Sequence, residues 1–279
     1  MSERLRRVAG IRSLQLGETK VTYVPDGVVQ LSPHHWFPDT RDADYGDYLD
    51  EAGYFVASAG GLLVERGDRA LLIDSGLGPV STPAEPDSIV GVMQGGTLPG
   101  HLARLGRPAD RIEAVAFTHL HGDHVGWVDH EALRGPEFLF PEAEWQHRDV
   151  VHHAPPAETL KAMEPRVRTV ADGEEIFPGV HVLLTPGHTP GHAAYVIDGG
   201  DRRLIAFGDV FHTPLQITHP EWRVAVDHDP EGAIAFRRQL ASRLAEPGTV
   251  GFGIHFADVQ FGRVVPVDGG APGWEPVDE

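Results

Sequence analysis

The chain contains no cysteine, which removes disulfides, thiol nucleophiles and thiolate metal sites together. Any metal it holds must be bound through nitrogen and oxygen. It also lacks any apolar run near the roughly 18 residues of a membrane-spanning helix. At the N-terminus Arg4, Arg6, Arg7 and Arg12 arrive before an apolar stretch develops, so the pattern of a secretory leader is missing. A soluble cytoplasmic protein without a membrane partner is therefore expected. Basic residues are scarce: 23 Lys and Arg stand against 41 Asp and Glu, a formal charge of −18. Such a surface repels a phosphate backbone, so nucleic acid is not an expected partner. Histidine, by contrast, is plentiful, with 17 in 279 residues on a background 41% hydrophobic. That is enough apolar material for a sizeable core.

Residues 1–19 read as a charged, weakly periodic N-terminal extension, open to being a strand or an arm against a neighbour, and residues 20–279 as a single domain. Strand-like alternation starts at Lys20 and is broken by Pro25-Asp26-Gly27, a turn signal. Residues 39–50 are acid-rich and read as a solvated loop, 60–64 and 70–73 as a hairpin, and 77–96 as a long loop rich in Gly, Pro and Ser. Leu98, Leu102 and Leu105 share one helix face, ended by Gly106 and Pro108. Further strands are expected at 112–117, 138–140, 180–184, 193–197, 204–207 and 250–254, with a short helix after Pro141. Asp229-Pro230 is an N-cap followed by a first-turn proline. The helix it opens should turn Ile234, Phe236, Leu240 and Leu244 inward. Strands alternate with helices, and polar residues gather at strand ends. That is the layout of a layered α/β domain with its site along one sheet edge.

The strongest chemical signal is Thr118-His119-Leu120-His121-Gly122-Asp123-His124, directly after an apolar strand. Alternation on an extended backbone points His119 and His121 the same way. Gly122 allows a tight turn, so Asp123 and His124 approach from a second direction. Such nitrogen and oxygen donors suit a borderline cation such as zinc; the alternative is a solvated loop that happens to be His-rich. Three later residues repeat the placement: His188, Asp209 and His255 each follow an apolar strand.

These segments together resemble the metallo-β-lactamase-fold hydrolase superfamily, over roughly residues 20–265. The resemblance implies an α/β (α+β) fold, the αββα four-layer sandwich. It also implies His119, His121 and His188 on one metal, Asp123, His124 and His255 on another, and Asp209 bridging them beside a water or hydroxide. Two Zn2+ are implied, with Fe or Mn as substitutes in one or both sites. Two cations about 3.5–4 Å apart lower the pKa of a shared water and polarise the scissile oxygen. A nucleophile is then available without Ser or Cys. Asp74, in Leu72-Ile73-Asp74-Ser75-Gly76, matches a family segment whose aspartate supports the metal loop from behind. By the same analogy His192 supports its loop rather than touching metal.

The subgroup is narrowed by further features. Classical β-lactamases lack an aspartate at the position of Asp209, and nucleic-acid-processing members carry a long insertion that is absent here. The segment 185–192 looks like that of lactonases, glyoxalase-II-type thioesterases and organophosphate hydrolases. Homoserine-lactone lactonases typically carry tyrosine three residues after the bridging aspartate. His212 stands there instead, and with Gln216 is more similar to methyl-parathion-hydrolase-like members. The expected catalytic groups are Asp123, Asp209 and His212, the last donating to an oxyanion or leaving oxygen. His35, Trp36, Phe37 and Trp127 are candidates for the substrate pocket, with core packing as the competing role. Trp222 is a weaker candidate, and His147, His152 and His153 read as a solvated patch. The expectation is a hydrolase of a lactone or carboxylic ester, with a phosphotriester or thioester as alternatives. A redox relative would replace a ligand histidine and append a flavin domain, and neither is seen; a metal-binding protein without turnover is the non-hydrolase alternative. The expected partner is a small molecule, and the expected assembly a monomer or homodimer.

Overall fold

The computed structural model describes residues 2–278. Its strands form two sheets. The first runs in the order Ser81–Thr82, Val90–Gln94, Thr19–Leu31, Phe55–Arg66, Arg69–Ile73, Ala114–Ala116, Glu137–Pro141 and Val167–Val170, with Arg12–Leu16 also paired to Thr19–Leu31. The second follows chain order from Glu175–Phe177 through Val180–Leu184, Ala193–Asp198, Arg203–Ala206, Thr249–Phe252 and Phe261–Pro266 to Pro272–Pro276.

Alternating side chains divide the apolar residues between two layers. Leu62, Val64, Leu71, Ile73, Ala114 and Ala116 point inward and meet Val182, Tyr195, Leu204, Ala206, Val250 and Phe252 of the other sheet. Their neighbours Leu63, Leu72, Val115 and Phe138 point outward under the helices Leu98–Arg104 and Ala157–Met163. On the far side Ile205 and Ala194 lie under Leu240, Ala241 and Leu244 of the helix Pro230–Leu244. The result is the αββα sandwich. Strands buried on both faces read as nearly continuous apolar runs, and Phe55–Arg66 is buried along its first ten residues for that reason.

Three expectations are corrected, and one left open is decided. Pro25-Asp26-Gly27 is not a turn: the strand Thr19–Leu31 passes through it, with a register shift between Pro25 and Gly27. A bulge tolerates the missing proline N–H. The Asp26 carboxylate there accepts the backbone N–H groups of Gly78, Gly96 and Leu98 and the Trp127 indole. Residues 77–96 are not all loop, since Ser81–Thr82 and Val90–Gln94 extend the sheet beyond Thr19–Leu31. Within residues 1–19, Arg12–Leu16 is a strand of the sheet, with Leu14 and Leu16 in the inner core. On the last long helix Phe236 is only half-buried, and Arg237 is the buried side chain at that level.

Several strands are parallel: Arg69–Ile73, Ala114–Ala116, Glu137–Pro141 and Val167–Val170 in one sheet, Arg203–Ala206 and Thr249–Phe252 in the other. Parallel strands end on the same side, so the residues just beyond their C-terminal ends collect at one edge. Asp74, His119, Asp209 and His255 occupy such positions.

Candidate metal centre

Two groups of buried or half-buried side chains meet at this edge. His119, His121, His188 and Asp209 form one; Asp123, His124 and His255 form the other. His188 Nε2 lies 3.0 Å from His121 Nδ1, and His124 Nε2 lies 3.2 Å from His255 Nε2. Two nitrogens each about 2.0–2.1 Å from a tetrahedral cation stand about 3.3 Å apart, so these separations suit shared ligation. Asp209 stands between the groups. Its Oδ2 faces His188 Nε2 at 3.3 Å and His119 Nε2 at 3.7 Å, while Oδ1 faces His124 Nε2 at 3.2 Å and His255 Nε2 at 3.1 Å. Asp123 Oδ2 is 3.5 Å from His255 Nε2.

His119 Nε2 and Asp209 Oδ1 are buried without a hydrogen-bond partner. Buried polar atoms are rarely left so, and a cation would satisfy both. With no sulfur among the donors, the set fits a borderline ion such as zinc.

The outward-facing ring nitrogens are tethered, which fixes ring orientation. His119 Nδ1 pairs with Thr118 Oγ1 at 2.9 Å, His124 Nδ1 with Asp74 Oδ2 at 2.9 Å, His188 Nδ1 with Asp227 Oδ1 at 3.0 Å and His255 Nδ1 with the Ser58 carbonyl at 3.0 Å. Asp74 also accepts from Thr118 N and Oγ1. Its φ of +59° is a left-handed conformation that aspartate tolerates better than most residues. His192 accepts the Asp209 backbone N–H at Nε2, 3.0 Å away, and bonds Thr185 Oγ1 through Nδ1 at 2.6 Å. Both of its nitrogens are thus used in holding the Asp209 loop. Gly208 is required there, because its φ is +49° and a Cβ would lie 2.7 Å from His192 Nε2. Gly122, in contrast, is not left-handed, and a Cβ there would meet only the His153 carbonyl at 3.9 Å.

The electrostatics follow from a carboxylate buried among imidazoles. Burial pushes His119 and His121 well below the ordinary histidine value. Burial opposes charge on His124 as well, yet Asp209, Asp74 and Asp123 outweigh it and hold that ring well above 6.5. His188 is likewise opposed by burial but lifted to about 9 by its bonds to Asp209 and Asp227. Burial alone would raise Asp209; His255, His124 and His212 around it instead hold its carboxyl well below the usual range. The centre calls for positive charge next to Asp209, which a cation supplies in place of protons.

Above the centre opens a cavity of about 370 Å3 lined by Val29, Leu31, Trp36, Val90, Met93 and Val226, among others. His121, Asp123, His212 and His255 reach it as well. The His212 ring is buried, and burial pushes it down to about 4 despite Asp209 Oδ2 at 3.1 Å from its Nε2. Trp36 lies edge-on to it at 5.2 Å. The other pocket candidates lie elsewhere. Phe37 is buried against Phe55 and Trp222, Trp127 packs in the outer core and bonds Asp26, and His35 is exposed with Ser32 Oγ on its Nδ1. His153, expected in a solvated patch, lines the cavity with its ring 6.2 Å from that of His121.

Several residues that hold the centre were not foreseen. Asp227 Oδ2 receives Nη2 of the fully buried Arg237 at 2.7 Å, and Arg237 also donates to the carbonyls of Val210 at 2.8 Å and Trp222 at 2.9 Å. Burial alone would raise Asp227, but the His188 bond and Arg237 hold it at about 2. An arginine on the helix stripe of Ala233, Ile234, Leu240, Ala241 and Leu244 was the visible signal. Glu144, also buried, accepts from Leu120 N, Thr189 Oγ1 and Gly191 N, so it ties the two histidine loops together. No local pattern marked it.

The model of the metallo-β-lactamase superfamily matches residues 61–250. The chain belongs to that superfamily. It is 25% identical over 178 residues to a protein of Mycobacterium tuberculosis named as a probable metallo-hydrolase, covering 54% of this chain and 56% of that protein. It is 29% identical over 149 residues to an N-acyl homoserine lactonase of a Bacillus species, covering 49% and 56%. The chain thus spans little more than half the length of these curated relatives. Among solved structures, AidC, a dizinc quorum-quenching lactonase in complex with a product, aligns with a TM-score of 0.82 over 98% of this chain and 99% of that one. At 22% identity this is a likeness of fold. Among the described residues no helix is long and apolar enough to cross a membrane.

Proposed function

We propose that the chain is a binuclear zinc hydrolase of small neutral substrates, cleaving a lactone or a carboxylic ester. The observation that carries this reading is the placement of Asp209, whose two oxygens face two separate sets of imidazoles beneath an apolar cavity. His119, His121 and His188 would hold one cation, and Asp123, His124 and His255 the other, with Asp209 shared. Such a pair supplies an acidified water and polarises the oxygen of the bond to be cleaved.

The chain's own side chains do the rest. Trp36, Leu31, Val29 and Met93 hold the apolar part of the substrate and exclude water. His212 lines the cavity with its Nε2 3.1 Å from Asp209 Oδ2, from where it would donate a proton to the leaving oxygen. Among the described residues the cavity is lined by no lysine or arginine. An anionic thioester or phosphodiester would find counter-charge only at the cations themselves, next to Asp123 and on a chain of charge −18, with no side chain to neutralise its remote anionic groups. Neutral lactones, esters and phosphotriesters carry no such penalty.

The test is a substrate panel of acyl lactones, aryl esters, a neutral phosphotriester and an anionic glutathione thioester. Each is assayed before chelation, after it, and after zinc is restored. Lactone or ester turnover that disappears with chelation and returns with zinc is expected. Undiminished turnover in the chelated protein overturns the metal-dependent reading. Preference for the anionic thioester overturns the substrate assignment.

A further inference from the structure

The N-terminal segment sends three arginines to one buried carboxylate, and that carboxylate lies three residues beyond His255. Arg7 donates to Asp258 Oδ2 through Nε at 2.9 Å and Nη2 at 2.6 Å, and Arg12 Nη2 donates to Oδ1 at 2.9 Å. Arg4 Nε donates to the Asp258 carbonyl at 2.9 Å, and the Asp258 N–H returns a bond to the Arg4 carbonyl at 3.1 Å. The Asp258 side chain is 4% exposed, so this charge is matched almost wholly by the arm. A buried carboxylate without such partners would not be tolerated.

The loop held in this way is strained. Ala257, between His255 and Asp258, has a φ of +43°, which a residue with a Cβ adopts only when its surroundings enforce it. The arm grips the loop from a second side through Ser58. Ala9 N donates to Ser58 Oγ at 3.0 Å, Ser58 Oγ donates to the Ala257 carbonyl at 2.9 Å, and the Ser58 carbonyl accepts from His255 Nδ1. Leu5 closes the arrangement from below, in a small cavity that it shares with His212 and His255. The Asp258 side chain, the Ala257 carbonyl and the outer nitrogen of His255 are thus linked to residues 4–12, directly or through Ser58, beside the loop's own bonds from Phe256 N to the Gly253 carbonyl and from Gln260 Nε2 to the Ala257 carbonyl. The other group of imidazoles is held differently, by Thr118 and by Asp227 with Arg237. Among the described residues the arm makes no hydrogen bond to that group.

We propose that Arg4, Arg7 and Arg12, acting through Asp258, are positioning residues for His255, and that the arm sets the cation affinity of the Asp123–His124–His255 subsite alone. This rests on the two-cation reading of the centre. The arm acts as a clamp: it holds the strained turn, the turn aims the His255 ring, and the ring completes the second set of ligands. A general contribution to folding would weaken both subsites together. A clamp on His255 weakens one.

The test measures stepwise Co2+ binding, by visible absorbance and competition with a chromophoric chelator, for the full chain and its variants. The variants are Asp258→Asn and the double substitution Arg7→Gln/Arg12→Gln, with Arg6→Gln as control because Arg6 pairs with Asp47 instead. The first Co2+ should bind all four proteins alike. The second should bind the two clamp variants about 10–100-fold more weakly, the usual cost of removing a ligand's support. Arg7→Lys/Arg12→Lys should recover part of the loss. If Asp258→Asn does not fold, the arginine pair decides the matter. Two Co2+ in the wild type with equal losses at both subsites, or none, would overturn the clamp and leave the centre's reading intact. A wild type that binds a single Co2+ would overturn both.

Discussion

Replacing Arg237 by methionine keeps much of the aliphatic stem but removes a charge that is 1% exposed. Three bonds of 2.7, 2.8 and 2.9 Å go with it, to Asp227, Val210 and Trp222. Asp227 is left as a buried carboxylate facing His188 and the Val224 N–H. Breaking a buried ion pair from one side costs about 3–5 kcal/mol, mostly because the remaining charge has lost its partner. For a domain of this size that corresponds to a fall in Tm of about 10 °C. The same arithmetic predicts a rescue. Arg237→Met combined with Asp227→Asn removes the stranded charge, and should regain at least about 1 kcal/mol over Arg237→Met alone. Thermal and urea unfolding in saturating divalent metal measure both quantities. A single variant within about 1 kcal/mol of wild type, or a double variant no better than the single, would refute this account of the pair.

The acid limb of stability should report the same pair. Asp227 is held at about 2, below the roughly 3.9 of an unfolded aspartate. Its contribution is therefore complete above about pH 4 and is lost as the pH falls towards 2, a difference of about 2 kcal/mol. Asp227→Asn should flatten the stability curve in that window, and an unchanged slope between pH 4 and pH 2 contradicts the assignment. His212→Phe should retain both cations by elemental analysis and lower kcat by about 100-fold or more; an unchanged kcat makes His212 a packing residue. Trp36→Ala should raise KM roughly 10-fold through lost apolar contact, whereas Trp127→Phe should leave KM alone and cost about 1 kcal/mol through its bond to Asp26. A KM effect confined to Trp127→Phe would reverse the two roles.

Local pattern carried a long way in this protein. Period-two alternation and strand-length apolar runs are properties of short windows, so 180–184, 193–197 and 204–207 could be read as strands from composition alone. His119, His121, Asp123 and His124 stand out for the same reason: they are close in sequence, and a strand precedes them. His188, Asp209 and His255 were legible as polar residues at strand ends; the parallel pair before Asp209 and His255, with Val180–Leu184 running the same way two strands along, explains why such positions share an edge. The apparent turn at Pro25 misled because a bulge and a turn demand the same residues, and only pairing across the sheet distinguishes them.

Convergence is a different matter. Nothing within a few residues of Asp209 states that its two oxygens face different imidazoles 3.1 and 3.3 Å away, or that His192 is spent on the Asp209 backbone. Nor does the sequence near Asp258 reveal arginines 246 to 254 positions distant. The fold class followed from periodicity, which the chain encodes residue by residue. The orientation of each ring, the largely apolar lining of the cavity and the placement of residues 4–12 depended on long-range packing. Burial makes an unpaired charge costly, so partners must be brought from wherever in the chain they lie.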